Sequence, residues 1–457
     1  MSKTPVIAIF DVGKTNKKFF LFDQRYQVVF QDTVQIPEIL DEDRFPCEDI
    51  QALSSWVTDW LDQATSMSNM EIRAVNFSAY GASLVHINRN REVLAPLCNY
   101  LKPFPEKLQR DFYEKFGGET GFSKSTASPV LGNLNAGLQL YRLKYEQPQL
   151  FSRINYSLFL PQYLSGLLTL SCYSDITSIG CHTGLWDFDK KNYHEWVYRE
   201  NIYALLAARF PSDQTIPVPW NKQQLAAGIG LHDSSAALIP YQLSQEGPFL
   251  LISTGTWCVS LNPFDESSLT EEELKQDCLC YLEYRGSRVK ASRLFAGHEH
   301  ERQVKRLAEY FGLPPDHYKA IAFDPGIINA LNSRPESEFT IPGLLMRESR
   351  FAKRAVSGLN DFKTAYHQLM VDLVGEQVLS TKLVLEGTRV KMIIVDGGFS
   401  KNPLFMHLLA RAFPQFQIYA AVLSEASALG AALAIHSSWN PQPLPLRLIE
   451  RKLYPAV

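Results

Sequence analysis

No apolar run in this chain approaches the roughly 18 residues that a membrane-spanning helix needs,. Neither sign of charge is in excess. With 45 Lys and Arg against 48 Asp and Glu, the net charge is −3, which leaves no electrostatic footprint for nucleic acid or an anionic membrane,. Cysteine is sparse and scattered: Cys47, Cys98, Cys172, Cys181, Cys258, Cys278 and Cys280 among 457 residues. An odd set at such spacings makes no disulfide framework, and thiols in a reducing compartment are expected. Cys278 and Cys280 are the only close pair and fit neither a zinc knuckle nor a redox C-x-x-C. The start, Met1-Ser2-Lys3-Thr4-Pro5, leads straight into a strand and leaves no room for a signal peptide,. The expected location is cytoplasmic. Two catalytic signatures are missing as well: there is no Gly-x-x-x-x-Gly-Lys-Ser/Thr loop and no Gly-x-Ser-x-Gly elbow. His298 and His300 invite a metal reading, but positions i and i+2 of a helix do not share a face.

What is present is an ordinary globular composition, 46% hydrophobic and 20% charged, long enough for roughly two to three domains,. Val6–Phe10 reads as a strand buried on both faces, followed by strands at Lys17–Phe22 and Val28–Phe30. A helix is expected from Cys47 to about Ala64, then strands Glu71–Ser78 and Leu84–Asn88. Residues 96–130 read as irregular, Trp196–Phe210 as helical and Pro211–Pro219 as a proline-punctuated connection. The second half repeats the opening: strands at 249–252 and 259–262, helices at 297–311 and 358–387, a strand at 390–395 and a further one at 417–420. Pro314–Pro342 reads as a loop-rich insert. The pattern is not a short-period repeat. It is that of two similar α/β lobes.

Chemistry concentrates in four places. Three glycine-bearing turns follow strands: Asp11 to Lys18, Ser253 to Trp257, and Asp396 to Asn402. Such turns let backbone N–H groups converge on phosphate. Thr15, Thr254 and Thr256 add hydroxyls, and Lys14, Lys17 and Lys18 add positive charge. Asp11 can hold a hydrated Mg²⁺, since that ion is bound through one or two carboxylates, waters and substrate phosphates; a turn-forming Asx residue is the alternative. The fourth place is Gly228-Ile229-Gly230-Leu231-His232-Asp233-Ser234-Ser235, where Asp233 is set to take a proton from a bound substrate or simply to cap the following helix. Ser424 to Ala432 is a small-residue stretch, suited to a flat ligand ring or to close helix packing.

Together these residues resemble the FGGY carbohydrate kinases. The anchors are Phe10-Asp11-Val12-Gly13-Lys14-Thr15, Ser253-Thr254-Gly255-Thr256-Trp257, Asp396-Gly397-Gly398 with Asn402-Pro403, and Glu425 to Ala432. The resemblance implies an α/β fold of two actin-like, ribonuclease-H-like lobes with an interdomain cleft. Residues 1–244 would form the sugar-binding lobe and 245–457 the nucleotide-binding lobe. It also implies ATP and Mg²⁺ as cofactors, with Asp11 near the metal. Gly13, Lys14, Thr15, Asn16, Lys17, Lys18, Thr254, Gly255, Thr256, Gly397, Gly398 and Asn402 would contact the nucleotide. The His232-Asp233-Ser234 stretch, with Ala79-Tyr80-Gly81-Ala82-Ser83, is most similar to the rhamnulokinase branch. Asp233 is then the proton acceptor, and Tyr80, Gly81, His232, Ser234 and Asp175 would serve the sugar. Lys14, Ser83 and Asn99-Tyr100-Leu101 depart from the branch pattern. The expected reaction is phosphorylation of a ketose hydroxyl, on a 6-deoxyhexulose or a pentulose. No nucleic-acid or membrane partner is expected, and a monomer and a homodimer are both compatible. Two other readings stay open: a sugar- or ATP-binding regulator without turnover, and an actin-like or chaperone ATPase with water as acceptor.

Overall fold

The computed structural model describes residues 3–245, 247–332, 349–423, 425–445 and 448–456. The chain forms two compact units. The first takes in residues 3–244, 280–288 and 425–448; the second takes in 245–279, 289–423 and 449–456, within those described ranges.

In the first unit the apolar run Val6–Phe10 lies wholly out of water, inside the strand Thr4–Val12. That strand pairs antiparallel with Lys17–Asp23 and parallel with Met70–Ala79. The sheet order is Thr215–Trp220, Gln223–Gly228, Met70–Ala79, Thr4–Val12, Lys17–Asp23, Val28–Val34. The short strand Leu231–His232 also pairs parallel to Met70–Ala79, further along it than Gln223–Gly228. The glycine turn between these two strands folds around Asn76. Its Oδ1 accepts from Gly230 N at 3.1 Å and Phe77 N at 2.9 Å, and Gly228 lies too close to it to carry a side chain. The helix Ile50–Ser66 starts on an Asp49 cap and buries Leu53, Val57 and Leu61, one turn apart, against the sheet,.

The small-residue stretch is a packing surface. Helix Ala426–Ala434 crosses helix Asp233–Ser244 so closely that a Cβ on Gly430 would collide with the Ala236 carbonyl. Asn76 Nδ2 donates to Ala431 O at 2.8 Å and ties the same helix to the sheet.

The second unit repeats the core pairing. Phe249–Thr254 runs antiparallel to Cys258–Asn262 and parallel to Met392–Gly397, which is in turn parallel to Gln417–Val422. From Arg288–Leu294 the order runs Cys258–Asn262, Phe249–Thr254, Met392–Gly397, Gln417–Val422, Glu450–Tyr454. The long helix Phe362–Leu385 is clipped to this sheet by polar contacts, among them Asn262 Nδ2 to Val384 O at 2.6 Å and Ser292 Oγ to Ser380 O at 2.7 Å.

Several expectations are corrected. Residues 96–130 hold two helices, Glu106–Lys115 and Gly118–Ser125, around a cluster of Phe112, Phe122 and Tyr141; the glycines and prolines there punctuate helices rather than exclude them. Residues 196–210 carry one helical turn at Glu195–Arg199 and a 3₁₀ turn at Tyr203–Leu205. Thr215–Trp220 is a strand despite Pro217 and Pro219, both exposed. It lies at the sheet's edge, where a missing N–H costs no ladder bond,. The described part of the insert after Pro314 holds the helix Pro325–Asn332; its residues 333–342 lie outside the described ones, as does Ser424. Among the described residues no helix is long and apolar enough to cross a membrane.

Gly430→Ala is expected to lower stability by about 1–3 kcal/mol, the cost of overpacking a closed contact. Urea unfolding measures it; an unchanged midpoint would mean the two helices do not need that approach.

Candidate active site

Sheet register assembles the site in the first unit. Asp11 pairs with Ser78, and Ser78 pairs with Leu231. Neighbouring strands lie about 4.8 Å apart, so Asp11 and Leu231 stand roughly 10 Å apart across one row, with Asp233 two residues beyond Leu231. All three strands are parallel and end here. The space beyond the carboxyl ends of parallel strands is where open α/β sheets hold ligands.

Two carboxylates occupy this edge. Asp11 Oδ2 accepts from Ser427 Oγ at 2.9 Å. Burial pushes its carboxyl up to about 6; Asp233 adds to the rise, while Ser427, Ser78 and Lys18 oppose it. Asp233 keeps about a third of its side chain open, 35%. Its Oδ1 accepts from Ser234 N at 2.6 Å and Ser234 Oγ at 3.3 Å. Desolvation nevertheless raises it to about 6, against the Ser234 bonds. Asp233 is therefore both the first residue of its helix and a carboxylate poised near neutral pH.

His232 does not face outward. It is 4% exposed, and desolvation holds it down at about 3, so the ring is neutral. Its Nε2 lies 3.1 Å from Asp233 Oδ1 and 3.0 Å from Cys181 Sγ. Gly81 backs this group: a Cβ there would sit 2.6 Å from Cys181 Sγ and 3.2 Å from the His232 ring. The glycine thus makes room for the Cys181–His232 contact. Next to it, Ala82 holds a left-handed φ of 56°.

The first turn is less cationic than its lysines suggest. Lys14 pairs with Glu38 at 2.6 Å, and Lys18 with Glu425 at 3.1 Å. Lys17 is 1% exposed and pairs with the equally buried Glu48 at 2.8 Å, whose carboxylate also accepts from Tyr80 OH at 3.0 Å. The expectation that Lys17 reaches phosphate is corrected: its ammonium is a buried strut. Thr15 and Asn16 are exposed at the tip, where Gly13 N donates to Asn16 O at 3.0 Å. Asp175 is corrected in the same way. It is wholly buried and capped by its own loop, accepting from Thr177 N at 2.9 Å, Ser178 N at 3.1 Å, and the hydroxyls of Thr177 and Ser212. Burial leaves neither carboxylate oxygen open to a sugar. Neither Glu48 nor Cys181 carries a local signal of its place here, because their partners lie 31 and 51 residues away.

The second unit brings its two turns together. Thr254 pairs with Gly397 across parallel strands. Thr254 Oγ1 donates to Asp396 O and accepts from Phe399 N at 2.9 Å. Gly397 has φ +82°, and a Cβ there would strike the Thr254 carbonyl. Gly255 and Thr256 are exposed beside the start of helix Ala296–Phe311, where His298 N donates to Thr256 O at 3.1 Å. A cavity of about 480 Å³ opens here, lined by Gly255, Gly297, Gly398, Asn402, Tyr318 and Phe399 among others. Asn402 caps helix Pro403–Ala412 and donates to Tyr366 OH at 2.8 Å. Among the described residues no group of three or more His, Cys, Asp or Glu could cage a metal.

Two α/β units, each with glycine turns at the carboxyl ends of parallel strands, one bearing two carboxylates on one edge and the other an open cavity, define a class of two-unit α/β proteins that hold ligands at their strand ends,. The comparisons place the chain within that class. Residues 6–202 match the FGGY family of carbohydrate kinases, N-terminal domain, and residues 246–443 match carbohydrate kinase FGGY, C-terminal domain. The chain belongs to the FGGY family of carbohydrate kinases, enzymes that use ATP as phosphate donor. No curated protein matches it. Among solved structures it is similar to a carbohydrate kinase from Novosphingobium aromaticivorans, at 19% identity and TM-score 0.79, covering 100% of this chain and 95% of that one. It is similar to a ligand-bound xylulose kinase from Lactobacillus acidophilus, at 15% and 0.78, covering 99% and 94%. It is also similar to a Plasmodium falciparum glycerol kinase with ADP, at 15% and 0.74, covering 96% and 90%.

A raised carboxyl binds more protons folded than unfolded across pH 4 to 6, so stability falls as pH rises through that window and stays lowered above it,. Asp233→Asn is therefore expected to be more stable than the parent at pH 7.5, by about 1–2 kcal/mol after discounting for its open third, and no more stable at pH 4. Thermal unfolding at the two pH values checks this; equal shifts at both would contradict it.

Proposed function

We propose that the protein transfers a phosphoryl group from ATP to a hydroxyl of a ketose, with Asp233 as the proton acceptor. The observation that carries this reading is Asp233 itself: a partly open carboxylate at a strand end, raised to about 6, beside a second carboxylate on the same edge. A general base works best with a pKa near the operating pH. A binder without turnover has no use for such a group.

The nucleotide is assigned to the second unit, at Gly255, Gly398 and Asn402, which line the cavity, with Thr256 and Gly397 in the same two turns. The glycines leave the backbone bare, as phosphate contact requires. Gly13, Lys14, Thr15, Asn16 and Lys18 form the counterpart turn of the first unit. The donor set fits Mg²⁺: one partly open carboxylate on Asp11 suits an ion that keeps several waters and takes its other ligands from phosphate oxygens,. When bound, the ion supplies positive charge against the transferred group. Ser234 orients the Asp233 carboxylate by donating to Oδ1, which leaves Oδ2 for the substrate hydroxyl. Tyr80 offers its ring, since its hydroxyl is given to Glu48.

Two substrate classes have support. The His232-Asp233-Ser234 resemblance to rhamnulokinases favours a 6-deoxyhexulose such as rhamnulose or fuculose. The structural neighbours named as xylulose kinases favour a pentulose.

Asp233→Asn is expected to retain nucleotide and ketose binding by calorimetry while ketose-dependent ADP formation drops by about 10²- to 10⁴-fold. Near-parental turnover would refute the base assignment.

A further inference from the structure

We infer that Ser235 holds His232 in the Nδ1–H tautomer, so that the ring presents the lone pair of Nε2, not a proton, to the Asp233 carboxylate. This rests on the reading of Asp233 as proton acceptor and adds Ser235, His232 and Cys181 as positioning residues behind it.

The tautomer follows from a count of hydrogens. His232 is buried and neutral, so its ring carries one N–H,. Ser235 Oγ donates its only hydrogen to Leu282 O at 3.0 Å. It therefore meets Nδ1, at 3.4 Å, with a lone pair, and the hydrogen on that line belongs to the ring. Nε2 is then an acceptor. Cys181 supplies a matching donor, an S–H at 3.0 Å,. The ring is fixed in place by Tyr281, stacked on it at 5.5 Å and 26°, and by Gly81, whose missing Cβ admits the thiol.

The consequence falls on Asp233, 3.1 Å from that lone pair. A lone pair facing a carboxylate oxygen disfavours the charged form and favours the protonated one. The opposite tautomer would donate to the carboxylate and weaken it as a base. The other groups facing this site are Asp11 from strand Thr4–Val12 and Tyr100 from the loop before helix Glu106–Lys115, both of which the Asp233 charge pushes up. Lys18, near Asp11, is paired with Glu425. None of these depends on Ser235, so a Ser235 variant isolates the ring.

Ser235→Ala strips Nδ1–H of its acceptor, and a buried donor without a partner drives the ring to the Nε2–H tautomer. The acid limb of ketose-dependent kcat/KM against pH is then expected to move about one pH unit lower. Ser235→Thr, which keeps the hydroxyl, is expected to restore it. Ring ¹⁵N resonances of the unaltered protein, with His232 assigned by its loss in His232→Asn, are expected to show the proton on Nδ1. Finding it on Nε2, or an acid limb unmoved in Ser235→Ala, overturns the inference and leaves the base assignment standing. Turnover by Asp233→Asn would instead remove the base assignment.

Discussion

The parallel register of strand Met70–Ala79 is the constraint on which the first unit depends. On one side it sets Asp11 opposite Ser78, and on the other it sets Leu231 opposite the same residue. Asp11 and Asp233, the latter two residues beyond Leu231, are thus brought to one edge by pairing between strands far apart in sequence. Asn76 secures both sides. Its amide accepts from the glycine turn before His232 and donates to the helix that carries Ser427, the partner of Asp11. A slip of one residue would turn every side chain to the opposite face and separate the carboxylates.

Electrostatics follow from that placement. The lysines nearest the edge are each matched to an acid: Lys14 to Glu38, Lys17 to Glu48, Lys18 to Glu425. Asp11 and Asp233 are thus left with hydroxyl and amide donors rather than a direct cation, and burial raises both. A carboxylate tightly paired to Lys or Arg would stay ionised far below neutrality and make a poor proton acceptor. The pairing of the lysines and the raised carboxyls are two sides of one arrangement.

Much of this was legible in the sequence. The strand at Val6–Phe10, the three glycine turns and the His232-Asp233-Ser234 stretch all carry local signals: an unbroken apolar run, glycine after a strand, a polar triplet before small residues. What stayed hidden lacks such signals. Lys17 reads as a turn lysine because Glu48, which buries it, comes from another segment. Asp175 is a sugar ligand only by the resemblance, and its caps, Thr177 and Ser178, look in sequence like ordinary polar neighbours. Thr215–Trp220 reads as a connection because prolines usually exclude strands, and only its place at the sheet's edge permits them,. Tertiary partners, not local composition, decided each of these.

With Asp233 as proton acceptor for a sugar hydroxyl, phosphoryl transfer goes to a ketose and not to water. The most direct measurement is the initial rate of ADP formation with Mg²⁺ and ATP, alone and with a panel of pentuloses and 6-deoxyhexuloses. Release is expected to be negligible without sugar and to rise steeply with one ketose class. Hydrolysis at the same rate with and without every ketose would contradict it.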